Sequence, residues 1–101
     1  GMGYMVLGRN SEALGEFRAA LRDPALSSWG AVDTRADMGR VWAQLDEPEQ
    51  ACAQLATALK LAAPIDHRMG IARIRGVRAG FPTPWAGLDC VRELDQRLRA
   101  A

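Results

Sequence analysis

Set against itself at an offset of 38 residues, the chain repeats a run of small, aromatic and aliphatic positions. Gly1 meets Gly39, Tyr4 meets Trp42, Leu7 meets Leu45, Ala13 meets Ala51, Phe17 meets Leu55, Ala20 meets Ala58 and Leu21 meets Leu59. The matched positions recur at helical spacing, so the repeating unit is built from helices. A single helical pair cannot bury its apolar side alone and does so by stacking on its neighbour. The repeat therefore constrains the chain to a helical stack.

Composition agrees. The chain has 101 residues, 49% of them hydrophobic, with alanine and leucine dominant and few aromatic residues. No stretch alternates apolar with polar as a half-buried strand does, so the fold class is all-α. At this length one domain buries a core only modestly larger than folding requires.

Taken in order, residues 1–24 read as a truncated first repeat. Gly1 to Leu7 is the end of one helix, Gly8, Asn10 and Ser11 make a turn and cap, and Ala13 to Leu21 form a second helix that Asp23-Pro24 stops. Residues 27–63 form the complete second repeat. Ser28 caps a long helix to Leu45, Asp46 and Glu49 have the spacing of a capping box, and Pro48 sits in the first turn of the next helix. Gly39 and Ala51 are small enough to let these antiparallel helices approach closely, with Trp42 as core bulk between them. Residues 64–101 are a degenerate repeat with capping helices. Asp66 caps a helix from His67 to Ala79 whose apolar residues form two opposite sides: Gly70, Ile71, Ile74 and Val77 on one, Ile65, Met69, Ala72 and Gly76 on the other. That pattern predicts a helix sandwiched between neighbours. The last helix, Leu88 to Ala100, is apolar on one side only and closes the stack. The expected total is about five to six helices.

The residues that could carry chemistry do not form a constellation. His67 adjoins Asp66, but adjacent helical residues do not face each other, and no nucleophile is placed to join them; the expectation is a structural first-turn histidine and no enzyme. Cys52 and Cys90, far apart in the chain, supply neither a disulfide framework nor a metal-ligand spacing, and no cofactor is implied. The net charge is +1, and residues 64–101 hold seven basic against four acidic groups. Of Arg68, Arg73, Arg75 and Arg78 only Arg68 and Arg75 share a helix edge, and no aromatic interleaves them. Solvated arginines or ion pairs come first, an anionic partner second, and direct nucleic-acid binding last. Trp29 and Trp85, near helix starts, are expected to plug gaps between layers. No apolar run of about 18 residues spans a membrane and no signal-peptide pattern opens the chain, which predicts a cytoplasmic protein without membrane contact.

Gly39, Trp42, Ala51, Leu55 and Ala58, with Gly1, Tyr4, Ala13, Phe17 and Ala20 in the first copy, resemble tetratricopeptide (TPR) repeats. The period of 38 is longer than the usual 34 or so, and the pattern is not continued after Ala63. The strings LGRNSEAL, LDEPEQAC and PWAGLDCVRELDQRLR are similar to the C-terminal TPR-like segment of actinobacterial helix-turn-helix transcriptional regulators. The resemblance implies a TPR-like right-handed stack of antiparallel helix pairs with a C-terminal capping helix, as a fragment of a longer regulator. It also implies a non-catalytic module that binds a peptide, protein or small ligand on a concave face lined by Asp33, Arg40 and Gln44, with Arg68 and Arg75 along its margin. The alternative is a structural or dimerising segment, with a second copy of the chain as its partner.

Overall fold

The computed structural model describes residues 2–101, with side chains from Arg9 onward; the expected correspondences at Gly1, Tyr4 and Leu7 lie outside those described side chains. Among the described residues there are five α-helices, two short 3₁₀ turns and no strand. The helices are α1 (Met2–Arg22), α2 (Ser28–Gln44), α3 (Pro48–Ala62), α4 (Arg68–Ala79) and α5 (Asp89–Ala100). The 3₁₀ turns are Ala63–Ile65 and Thr83–Gly87.

The first departure from expectation is α1, which runs through Gly8, Asn10 and Ser11 without a turn. The reason lies in what stands at the matching positions. At an offset of 38 residues Asn10 aligns with Pro48, and only the proline lacks the N–H a continuing helix needs. Glycine, asparagine and serine each cost a helix about 1 kcal/mol or less and do not break it.

The turn between α2 and α3 forms, by a different device. No capping box joins Asp46 and Glu49; the cap position of α3 is Glu47, without a side-chain bond. Asp46 instead adopts a left-handed conformation, φ 60°. The Glu47 N–H reaches back to the Trp42 carbonyl at 3.0 Å and the Asp46 N–H to the Ala43 carbonyl at 3.1 Å, which is a Schellman closure of α2. The end of α3 repeats it. Asp66 has φ 50°, with the His67 N–H on the Ala62 carbonyl at 3.1 Å. Asp66 thus ends one helix and does not cap the next; His67 caps α4, its Nδ1 accepting from the Gly70 N–H. Ser27, one residue before the expected Ser28, caps α2 through its Oγ.

Three residues between α2 and α3 force an antiparallel hairpin. Arg35 donates to Gln54 across it at 2.9 Å. Beyond the hairpin the helices align in parallel. Gly70 of α4 faces Val32 of α2, Arg73 reaches Asp37, and Gly76 and Gly80 lie beside Arg40 and Gln44. In the same way Cys90, Glu93 and Arg97 of α5 run alongside Cys52 and Ala56 of α3. The main core, led by Val32, Leu55, Ile74, Val91 and Leu94, fills the space between these pairs. A smaller cluster of Leu14, Met38 and Val41 joins α1 to α2.

The expected sandwiching of α4 is not found. Its side carrying Gly70 and Ile74 is buried, but Ile65, Met69, Ala72 and Gly76 are exposed, Met69 to 78%. Two opposite apolar sides need neighbours on both, whereas the helices packed closely on α4, α2 and α3, belong to one hairpin and cover one side. Trp85 fills the core as expected, edge to face with Phe81 at 5.1 Å. Trp29 does not; it is 53% exposed and stacks on His67. Trp42 is partly buried and touches both clusters.

The hairpin depends on Gly39. A Cβ there would stand 2.7 Å from Leu55 Cδ2 and 2.9 Å from Leu55 Cγ, and Leu55 is fully buried. Overpacking costs about 1–3 kcal/mol, against a gain of about 1 kcal/mol when glycine in a helix becomes alanine. Gly39→Ala is therefore expected to destabilise the protein by about 1 kcal/mol, lowering Tm by roughly 5 °C. Gly15→Ala, where nothing lies within 4 Å of the added carbon, should raise it. Thermal unfolding of the pair checks both signs, and a rise in both would deny the close contact.

Candidate functional site

Of the residues expected to line a binding face, two meet in one place. Arg40 and Gln44 stand on the last turns of α2 and border a cleft of about 400 Å³ shared with α4. Ala43, Val77 and Pro82 supply apolar wall, and Gly76 and Gly80 keep it low. A Cβ on Gly76 would touch nothing within 4 Å, so the cleft is open space and not a filled seam. This volume is in the range that accommodates small ligands or a few peptide side chains.

Arg40 is exposed and lies 3.6 Å from Asp37, one turn back. Asp37 is shared with Arg73 of α4, whose Nη1 is 3.4 Å from the same oxygen. One carboxylate therefore stands between two guanidinium groups, and Arg40, exposed on the border of the cleft, has more donors than that contact uses.

The other expected residues are dispersed. Arg68 is exposed and 3.6 Å from Asp66, at the far end of α4. Arg75 donates to the Leu98 carbonyl at 2.7 Å in the last turn of α5, an oxygen that also accepts from the Ala101 N–H at 3.3 Å. It borders a separate hollow with Arg78 and Asp95. Asp33 lies toward the N-terminal end of α2, 3.5 Å from His67 Nε2.

His67 is buried and stacks on Trp29 with ring centroids 4.2 Å apart. Its Nδ1 accepts from the Gly70 N–H at 3.3 Å, which turns Nε2 toward Asp33. Gly70 makes room for it, since a Cβ there would stand 2.5 Å from the His67 ring and 2.7 Å from Val32. The histidine thus holds a structural position between α2 and α4. Its partner Asp33, distant in sequence, could not be read from spacing.

The arginines of α4 are paired with neighbours, as the sequence suggests. Arg78 grips Asp95 of α5 with two hydrogen bonds, 2.7 and 3.0 Å, and its guanidinium lies over the Phe81 ring. The bond to Arg78 holds the Asp95 carboxyl below its ordinary 3.8 despite the opposing effect of burial, and the same bond raises Arg78.

The two cysteines, distant in the chain, come together across α3 and α5. Cys52 is buried, Cys90 half-buried, and both line a hollow of about 210 Å³ whose rim includes Glu49, Glu93 and Arg97. Burial first, then a hydrogen bond to Cys90, pushes the Cys52 thiol up to about 12. Among the described residues no group of three or more histidine, cysteine or acidic side chains is placed to hold a metal, and no helix is long and apolar enough to cross a membrane.

Set beside protein-family models, curated proteins and solved structures, the chain finds no match in any of the three.

The Arg78–Asp95 pair gives a test of how α5 is held. With its folded value depressed, Asp95 stabilises fully above the ordinary carboxylate range, and the contribution is lost as pH falls through that range and below it. Asp95→Asn is expected to be less stable than the native chain at pH 7. Its stability should also fall less steeply on acidification, and denaturant midpoints across pH 2–7 would reveal parallel curves if the pair contributes nothing.

Proposed function

We propose that this chain is a non-catalytic interaction module, a TPR-like stack that senses a peptide or protein segment for a transcriptional regulator acting in the cytoplasm. The observation that carries the reading is the α2–α4 cleft, an apolar wall edged by Arg40 and Gln44. Two further facts support it. The parallel alignment of α2 with α4 and of α3 with α5 occurs at separations near the 38-residue internal offset, as when one hairpin stacks on the next. His67 is buried against Trp29 with Asp33 beside it, Asp66 is exposed just before α4, and none of the three lines the cleft.

The occupant that fits is an extended segment with an acidic side chain or a terminal carboxylate, met by Arg40, and a small apolar neighbour set between Ala43 and Val77. Peptides selected from a displayed library against the folded chain test this. Binders are expected to shift the amide resonances of Arg40, Ala43, Gln44 and Val77. Arg40→Glu should weaken them at least about tenfold, as charge reversal at a contact does, with Gln44→Ala milder and Tm unchanged in both. Binders that map elsewhere and ignore both substitutions would reject the cleft.

A second reading, self-association, is favoured by the α3–α4 corner, where Leu61, Ile65 and Met69 are exposed and Trp29 of α2, also exposed, stacks on His67. Clustered exposed apolar residues of this kind mark contact surfaces. Sedimentation over a wide concentration range decides it: a weight that rises with concentration and falls back in Met69→Glu supports a dimer, and a constant monomer weight removes it.

A further inference from the structure

Cys52 and Cys90 are the chain's only cysteines, and the fold sets them side by side in one hollow between α3 and α5, one thiol covered and the other half open. We propose that they form a dithiol site that a hydroperoxide converts to an intramolecular disulfide linking α3 to α5.

The environment divides the roles. Cys52 keeps its proton, because burial and the hydrogen bond to its neighbour both disfavour the thiolate. It is also the less reachable sulfur, so Cys90 meets the oxidant first. The hollow is small, about 210 Å³, and its rim carries two carboxylates, Glu49 and Glu93, against the single guanidinium of Arg97. A compact neutral oxidant such as hydrogen peroxide enters it more readily than an anionic disulfide such as oxidised glutathione.

In the first step the Cys90 sulfur attacks one peroxide oxygen. The S–O bond forms, the O–O bond breaks, and the departing hydroxide takes the thiol proton and leaves as water, with Cys90 oxidised to the sulfenic acid. In the second step the Cys52 sulfur attacks the Cys90 sulfur. The S–S bond forms and the S–O bond breaks, and the hydroxide takes the Cys52 proton as a second water. The peroxide receives two electrons and both sulfurs together supply them. A thiol reductant reverses the change by exchange through a mixed disulfide.

The consequence is mechanical. The helix α5 is held by its packing on α3, by the Arg78–Asp95 pair and by the Arg75 bond to its last turn. A covalent link would add a constraint that closes a long loop of chain containing all of α4.

The whole reduced chain, treated with hydrogen peroxide, tests the proposal without a variant. The expected product is a monomer lighter by two hydrogen atoms, with no titratable thiol in denaturant, with the Cys52 and Cys90 peptides joined after proteolysis, and with Tm raised by roughly 10 °C. Dithiothreitol should restore the original mass and Tm. A monomer that keeps both thiols, dimers linked through Cys90, or a chain carrying extra oxygens on Cys90 with Cys52 still free would each overturn it. Cys52→Ala should replace the disulfide with extra oxygen on Cys90, since the sulfenic acid then has no second sulfur to close upon.

Discussion

The close approach of α2 and α3 at Gly39 sets the rest of the molecule in place. With no side chain at Gly39, Leu55 lies flat against the backbone of α2 and becomes fully buried, and Ala51 and Ala58 on the same side of α3 are sealed with it. The resulting hairpin is narrow enough that its two exposed flanks can each take one further helix. The helix α4 fits the α2 flank because Gly70 allows a second close approach, at Val32, and α5 fits the α3 flank through Val91, Leu94 and Leu98. Packing at interior density makes both contacts intolerant of even one added carbon.

Electrostatics then fixes what packing leaves loose. The helix α4 buries only one side, and its arginines are spread over four partners: Asp66 just before it, Asp37 of α2, Asp95 of α5 and the Leu98 carbonyl. The sequence feature that invites a nucleic-acid reading is thereby used mostly within the fold, while Arg40, exposed at the cleft, shares the Asp37 carboxylate with Arg73. Exposed pairs such as Arg73–Asp37 contribute little to stability. The Arg78–Asp95 pair is different, since both partners are partly covered and the geometry is bidentate.

Helix content was legible in the sequence because the apolar spacing within each helix is strong, and four of the five helices both begin and end within about two residues of expectation. The turn assigned to Gly8–Ser11 was misread because the internal offset aligned it with a true turn, and alignment carried more weight than the missing proline. Asp46 and Asp66 were misread as caps for a related reason. Aspartate serves at either end of a helix, and the choice between N-cap and left-handed C′ residue is made by backbone bonds that no spacing displays. Of the binding residues, Arg40 and Gln44 fell together since they lie one helical turn apart on α2. Arg68 and Arg75 share an edge of α4 but face different neighbours, and the Cys52–Cys90 meeting follows only from the parallel stacking of α3 and α5.

The two hydrophobic clusters have little in common beyond Trp42. Among the described residues α1 is attached through Leu14, Phe17 and Leu21 to Met38, Val41 and Leu45, whereas the larger core is assembled without it. Molecules divided this way need not open all at once. Release of α1 would expose one side of α2 while Leu55, Ile74 and Leu94 stay covered, giving a partly open species in which backbone amides of α1 exchange with solvent long before those of α3. Trp42, seated at the junction, would feel that first opening and the final one alike, so its emission would change in two stages where Trp85, deep in the larger core, changes in one.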